Sequence, residues 1–212
     1  ARILVIGGTV MGSELASRAR QIGAHVTIVT KDDDVMTKAL GRVIGGIASR
    51  LHEFHGVRVI RERIPVEFLG DENGTATGVM LDDGTRIDAD MIVQASGTIP
   101  VAVLDEFEAT ENVLASLLEE LSPADSDEPV AAWTSTQFGA FIEGWGAPGA
   151  DNDVQIITET YDEATGQIVR LIAAYWDADG LTGVVGINAG EGLAAYRTQL
   201  RLRRRSRTSV SL

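Results

Sequence analysis

A glycine-rich turn, Gly7-Gly8-Thr9-Val10-Met11-Gly12, stands between a short apolar run and an amphipathic one. Its spacing is that of a turn that holds the pyrophosphate of a dinucleotide. Such a turn needs three small residues. One makes the sharp bend, one lets backbone N–H groups approach the phosphates at a helix N-terminus, and one lets helix and strand pack closely. Gly7 and Gly12 fill the first and third places. Thr9 takes the middle place, and its side chain is expected where the phosphates would lie, although Gly8 offers a shifted turn. At the end of the next strand-like run, such sites usually present an acid to the ribose hydroxyls. Thr30 stands there, a poor ribose clamp, followed by Lys31 and then Asp32-Asp33-Asp34. Lys31 could face a 2′-phosphate, but the three adjacent carboxylates oppose that. The same acids suit the N-terminus of a helix.

The other chemistry-bearing residues give less. His52 and His55 share a helix face at i, i+3, but no HExxH pattern accompanies them, so no metal site is expected. No Ser-His-Asp or Gly-x-Ser-x-Gly arrangement is present.

The elements that must position these residues follow from periodicity. Residues 2–6 and 25–29 are apolar, strand-like runs, and 12–22 carries Leu15, Ala16, Ala19 and Ile22 at helical spacing. This is a β-turn-α-β unit. A longer helix is predicted over 36–54, with Gly45-Gly46 marking close packing, and a third strand over 57–60. Two turn signals, Glu72-Asn73-Gly74 and Asp82-Asp83-Gly84, predict an antiparallel meander of three strands. An apolar strand follows at 90–97. Residues 101–121 read as an acidic amphipathic helix and 122–129 as a linker. Beyond it, strands are predicted at 137–143, 153–159, 167–176 and 182–188, with a closing helix over 189–203. The fold class is therefore an α/β Rossmann-like domain with an antiparallel β-meander, plus a smaller α+β C-terminal domain.

Composition bounds the function. The chain has 212 residues, 44% of them hydrophobic, and no cysteine, which excludes disulfides and thiolate chemistry. A net charge of -13 repels nucleic acid and anionic membrane, so neither is an expected partner. The basic stretch Arg201–Arg207 is read as a solvated tail. No apolar run reaches the ~18 residues of a membrane span. With no signal peptide in view, a cytoplasmic protein is expected.

Two segments together carry a family resemblance. Residues 2–100, through "RILVIGGTVMGSELA", "GAHVTIVT", "LDDGTRIDADMIV" and "ASGTIP", resemble the NAD-binding domain of two-dinucleotide flavoprotein reductases. Residues 133–200, "WTSTQFGAFIEGWGAP…GVVGINAGEGLAAYRTQL", are similar to the C-terminal domain of ferredoxin and rubredoxin reductases of the pyridine nucleotide-disulfide oxidoreductase superfamily. The resemblance implies an NAD-binding-like Rossmann domain over 1–100, an acidic helix and linker over 101–131, a reductase C-terminal-like domain over 132–203 and a basic tail over 204–212. It also implies that Glu14 lies where the family keeps a glutamate beside the nicotinamide and flavin rings. No FAD-binding domain is found in the chain. Cofactor-facing positions depart from the family pattern together: Thr9, Thr30, Ala95 at the first glycine of the Gly-x-Gly-x-x-Pro close, Thr134 at the flavin-side tryptophan, and Thr136 at an aspartate.

These departures lead to an expectation of a flavin-free, reductase-derived protein that uses no cofactor. It would bind a small, natural-product-like substrate in an interdomain cleft and cyclise or isomerise it, with Glu14, its pKa raised, as acid or base. A homodimer is expected. One alternative is a ferredoxin reductase-type oxidoreductase component that binds NAD(P)H weakly through Gly7, Gly8, Thr9, Gly12 and Thr30. The other is a non-catalytic dimeric scaffold.

Overall fold

The computed structural model describes residues 1–96 and 131–209. The helix predicted over 101–121 and its linker lie outside the described residues.

The N-terminal half alternates strand and helix: β1 (Arg2–Ile6), α1 (Val10–Gln21), β2 (His25–Val29), α2 (Thr37–Phe54) and β3 (Arg58–Ile60). A meander follows, β4 (Pro65–Gly70), β5 (Ala76–Leu81) and β6 (Arg86–Asp88), and then β7 (Met91–Gln94). The sheet order is β3-β2-β1-β7, and all three pairings are parallel. β1 and β2 are short and apolar because both faces of a parallel sheet are covered. Leu4 and Ile6 pack with Val79, Leu81 and Ile87 of the meander, whereas Val5 faces α1 and α2.

α2 differs from its predicted form. It kinks at Gly41, whose φ of 74° and ψ of 171° are not helical. Gly45 serves close packing as expected, since a Cβ there would meet Thr37 Oγ1 at 2.8 Å and the Val35 carbonyl at 2.9 Å.

The C-terminal half is a five-stranded antiparallel sheet in the order β10-β11-β12-β9-β8. Its strands are β8 (Ala131–Gln137), β9 (Ala140–Gly146), β10 (Asp153–Tyr161), β11 (Ile168–Asp177) and β12 (Gly180–Ile187). A 3₁₀ turn at Gly190–Leu193 leads into α3 (Ala194–Ser209). The single strand predicted over 137–143 is in fact a hairpin. Phe138 (φ 51°) and Gly139 (φ 82°) turn the chain between β8 and β9. The tight-turn signal is carried there by an aromatic residue, which rarely takes positive φ.

β11 ties the halves together. Leu171, Ala173 and Tyr175 point into one core with Val5, Ile28, Ile44 and Ile47 of the N-terminal half. Ile172 and Ala174, on the opposite face, pack with Leu193 and Leu200 beneath α3. This period-two alternation is what a strand covered on both faces requires.

Candidate functional site

The Gly7–Gly12 turn is built by close approach. A Cβ on Gly7, whose φ is 114°, would fall 2.5 Å from the Ala95 carbonyl oxygen, because β1 and β7 end side by side. A Cβ on Gly12 would collide with the Gly7 carbonyl, so only glycine lets α1 sit this close to the turn. Gly8 is closed in by Thr30 Oγ1 and the Val35 Cα, both 3.0 Å from where its Cβ would be.

The Thr9 hydroxyl does not point free into the space over the turn. It folds back as the N-cap of α1: Oγ1 accepts from Gly12 N at 3.1 Å and donates to the Ala95 carbonyl at 2.8 Å. The hydroxyl is thus engaged within the turn, because at an N-cap it finds partners in its own helix turn, while Thr9 still lines the cavity above. The N–H groups of Val10 and Met11 belong to the first turn, where a helix has no acceptors of its own to offer them.

Above this turn opens a cavity of about 580 Å³. Its walls come from the C-terminal ends of β1, β2 and β7, the first turn of α1, the start of α2 and the edge of the meander. Gly7, Gly8, Thr9 and Thr30 line it. Gly12 is buried below, where it sets the packing. The rim was not foreseen from sequence: Lys38 reaches it from α2, and Arg63, Ile64 and Phe68 reach it from the segment leading into and along β4. Only the long-range fold brings the meander beside the turn.

Thr30 is buried and its hydroxyl accepts from Asp32 N at 3.2 Å, so it is spent on its own loop. The acids that follow separate in space. Asp33 pairs with Arg42 at 2.9 Å and Asp34 with Arg61 at 2.8 Å. Lys31 and Asp32 remain on the cavity wall.

Glu14 lies elsewhere. It is absent from the cavity lining and faces β8, where its Oε2 accepts from Ser135 Oγ at 2.8 Å and its Oε1 pairs with Arg18 at 2.6 Å. Burial pushes its pKa up, but the hydrogen bonds from Ser135 and Arg18, the Arg18 charge and the Thr136 backbone together hold it below the ordinary value. The expected raised pKa is thus corrected: Glu14 is a carboxylate at neutral pH and has no proton to give. Ser135 also accepts from Gln137 Nε2 at 3.0 Å, which extends the chain of bonds into the core. Of the positions that depart from the family pattern, Thr134 and Thr136 are exposed. Trp133 packs over Gly144, whose Cβ would fall 2.9 Å from the indole.

The histidines form a joint. His52 is fully buried, with Nδ1 2.9 Å from the Ala48 carbonyl and Nε2 3.0 Å from the Ser13 carbonyl. His55 stacks on Phe138 with ring centroids 4.2 Å apart. No group of three or more His, Cys, Asp or Glu able to hold a metal occurs among the described residues.

Similarity to known proteins agrees with this geometry. The family model of pyridine nucleotide-disulphide oxidoreductases matches residues 1–112, more than half of the 212. The chain belongs to this family. A ferredoxin–NAD(+) reductase component of a biphenyl dioxygenase system from Paraburkholderia xenovorans (strain LB400) is 29% identical over 142 residues, covering 65% of this chain and 34% of that protein. Rhodocoxin reductase from Rhodococcus erythropolis is 37% identical over 98 residues, covering 46% of this chain and 23% of that one. The chain thus spans about a quarter to a third of the curated relatives it matches. Among solved structures, the covalent putidaredoxin reductase–putidaredoxin complex superposes with a TM-score of 0.74 at 18% identity, over 95% of this chain and 58% of that one. This likeness shows the fold.

Membership in the family corrects the expectation that the chain uses no cofactor. Relatives named for NAD(+) share the segment that carries the turn, and the Thr9 hydroxyl, one of the departures behind that expectation, is engaged as the N-cap of α1. The reading of a cofactor-free cleft falls with it.

Proposed function

We propose that this chain supplies the nicotinamide dinucleotide site of a ferredoxin reductase-type oxidoreductase. The observation that supports it best is the cavity over the Gly7–Gly12 turn, with the Thr9 hydroxyl engaged within the turn and the first N–H groups of α1 at its floor. A pyrophosphate fits that donor set, since the positive end of a helix and unpaired N–H groups attract anions. Gly7, Gly8 and Thr9 would form the cradle, and Thr30 and Lys31 would flank the adenosine ribose. The bound nicotinamide supplies hydride chemistry. The chain's own part is to orient the dinucleotide: the close approach at Gly7 fixes the turn, and Ile6, Val29 and Met36 give the cavity an apolar wall. Glu14 joins α1 to β8 and so holds the floor of the site in place. The partner proposed for the whole protein is a ferredoxin-type electron carrier, by likeness to relatives named as ferredoxin reductases.

Calorimetric titration of the chain with NADH and NADPH tests this reading. Saturable one-to-one binding of at least one of them is expected. Met11 is 74% exposed and lines the cavity. Met11→Asp places a carboxylate at the first turn, where the helix tolerates it and the pyrophosphate does not. That variant should fold and lose binding. No binding to the parent chain, or equal binding by Met11→Asp, would refute the proposed site.

A further inference from the structure

The cavity carries an unusual charge balance. Lys31, Lys38 and Arg63 line it, against the single acid Asp32. The two neighbouring acids that would cancel this charge are drawn off the wall by Arg42 and Arg61. Arg63 is partly engaged with Asp83, at 2.8 Å. Lys31 and Lys38 are exposed and make no ion pair among the described residues. The acid that would grip a free 2′-hydroxyl is missing from the end of β2, and Thr30, in its place, has its hydroxyl turned into the loop. A site for an unphosphorylated ribose presents a carboxylate as acceptor, whereas a site for a 2′-phosphate presents cations and lacks that carboxylate.

From this we infer that the site prefers a 2′-phosphorylated dinucleotide, NADP(H), over NAD(H), with Lys31 as the main phosphate contact and Lys38 supporting it. This inference rests on the proposed dinucleotide site and adds the ligand's identity. It sets the chain apart from relatives named for NAD(+). Asp32 is the rival group. Were it the ribose clamp, the preference would run the other way.

The test uses the 212-residue chain and four probes: NADPH, NADH, 2′,5′-ADP and 5′-AMP, each titrated by calorimetry at one fixed ionic strength. NADPH is expected to bind about tenfold or more tighter than NADH, the scale of one charge-assisted contact, and 2′,5′-ADP should exceed 5′-AMP likewise. Lys31→Ala should shrink both ratios several-fold. Asp32→Asn should widen them by removing the opposing charge. Both side chains sit on the cavity rim, so both variants are expected to melt like the parent. Equal or tighter binding of NADH, an unchanged ratio in Lys31→Ala, or a narrowed ratio in Asp32→Asn would overturn the inference while leaving the dinucleotide site standing. If neither dinucleotide binds, the site itself is refuted, and the preference with it.

Discussion

At the scale of single residues, Thr9 decides how the site is read. A threonine at the middle glycine position looks like a plug, because sequence shows the residue type but not the direction of its hydroxyl. As an N-cap its hydroxyl holds the turn together. Thr9→Ala should cost about 1 kcal/mol of stability through loss of the cap, visible as a lowered melting temperature. Thr9→Gly should change dinucleotide affinity by less than about tenfold, since the hydroxyl was not in the way. A much larger gain on calorimetry would restore the plug. Glu14 is a joint of the same kind. Glu14→Leu leaves the buried Ser135 without its acceptor and should cost about 1–3 kcal/mol, whereas Glu14→Gln keeps an acceptor and loses only a surface ion pair worth about 0.3–0.5 kcal/mol. Chemical denaturation of both variants separates the two; equal losses would mean that the Ser135 bond contributes nothing. His52 adds a pH dependence. Burial lowers its pKa from the ordinary 6.5, more than its two carbonyl contacts raise it, and His55 is lowered by burial and by its neighbours His52 and Arg20. The unfolded chain therefore takes up protons below pH 6.5 that the folded chain refuses. The stability these histidines contribute is complete above that pH and is lost as pH falls through and below it. The paired carboxylates titrate lower: Asp83 is drawn down to about 2, chiefly by Arg63. Denaturation midpoints measured at intervals from pH 7.5 to about 5 should fall, and His52→Leu should flatten most of that slope. A slope unchanged in the variant would assign it to other groups.

At the scale of elements, the N-terminal half was legible because its signals are local. β1, β2, the meander and its two turns follow from apolar runs and Asn-Gly or Asp-Gly pairs, and each is found within a residue or two of its expected place. The β8–β9 hairpin was not legible, because its turn uses Phe138 in a left-handed conformation held by tertiary contacts. Phe138 N donates to Ser17 Oγ at 2.7 Å, and its ring packs on His52 and His55. The positions of Glu14 and the meander wall were likewise hidden, since each depends on contacts between residues far apart in sequence. The kink of α2 shows the same dependence. Gly41 is non-helical, and the Leu40 carbonyl beside it accepts from Tyr175 Oη, at 2.9 Å, across the two halves. Burial raises the Tyr175 pKa, so the hydroxyl keeps the proton it donates. Tyr175→Phe should cost about 1–3 kcal/mol, the penalty for an orphaned buried carbonyl. Hydrogen exchange should show faster opening around residues 37–44 than elsewhere in α2. Parent-like stability and exchange would mean that water replaces the hydroxyl without penalty.

At the scale of the whole molecule, the two halves share one interior. The largest core runs without interruption from Val5, Ile28 and Ile44 beneath the parallel sheet to Ile142, Leu171, Tyr175 and Val185 of the antiparallel sheet. Polar bonds reinforce it at Glu14–Ser135, Ser17–Phe138 and Leu40–Tyr175. With so much apolar surface buried mutually, neither half presents a complete core alone, and the two should unfold together. The three tryptophans, Trp133, Trp145 and Trp176, all lie in the C-terminal half, so their fluorescence reports that half and, through Trp133, its side of the shared core. Ile28 lies in β2 of the other half and is fully buried. Ile28→Ala should cost about 2–5 kcal/mol by leaving a cavity in the shared core. It should lower the tryptophan fluorescence midpoint by the same amount as the far-UV circular dichroism midpoint. A fluorescence transition that stays in place while the dichroism transition moves would mean that the halves melt separately. The dinucleotide cavity would then rest on the N-terminal half alone, without support from the sheet that Glu14 reaches and from which Tyr175 extends.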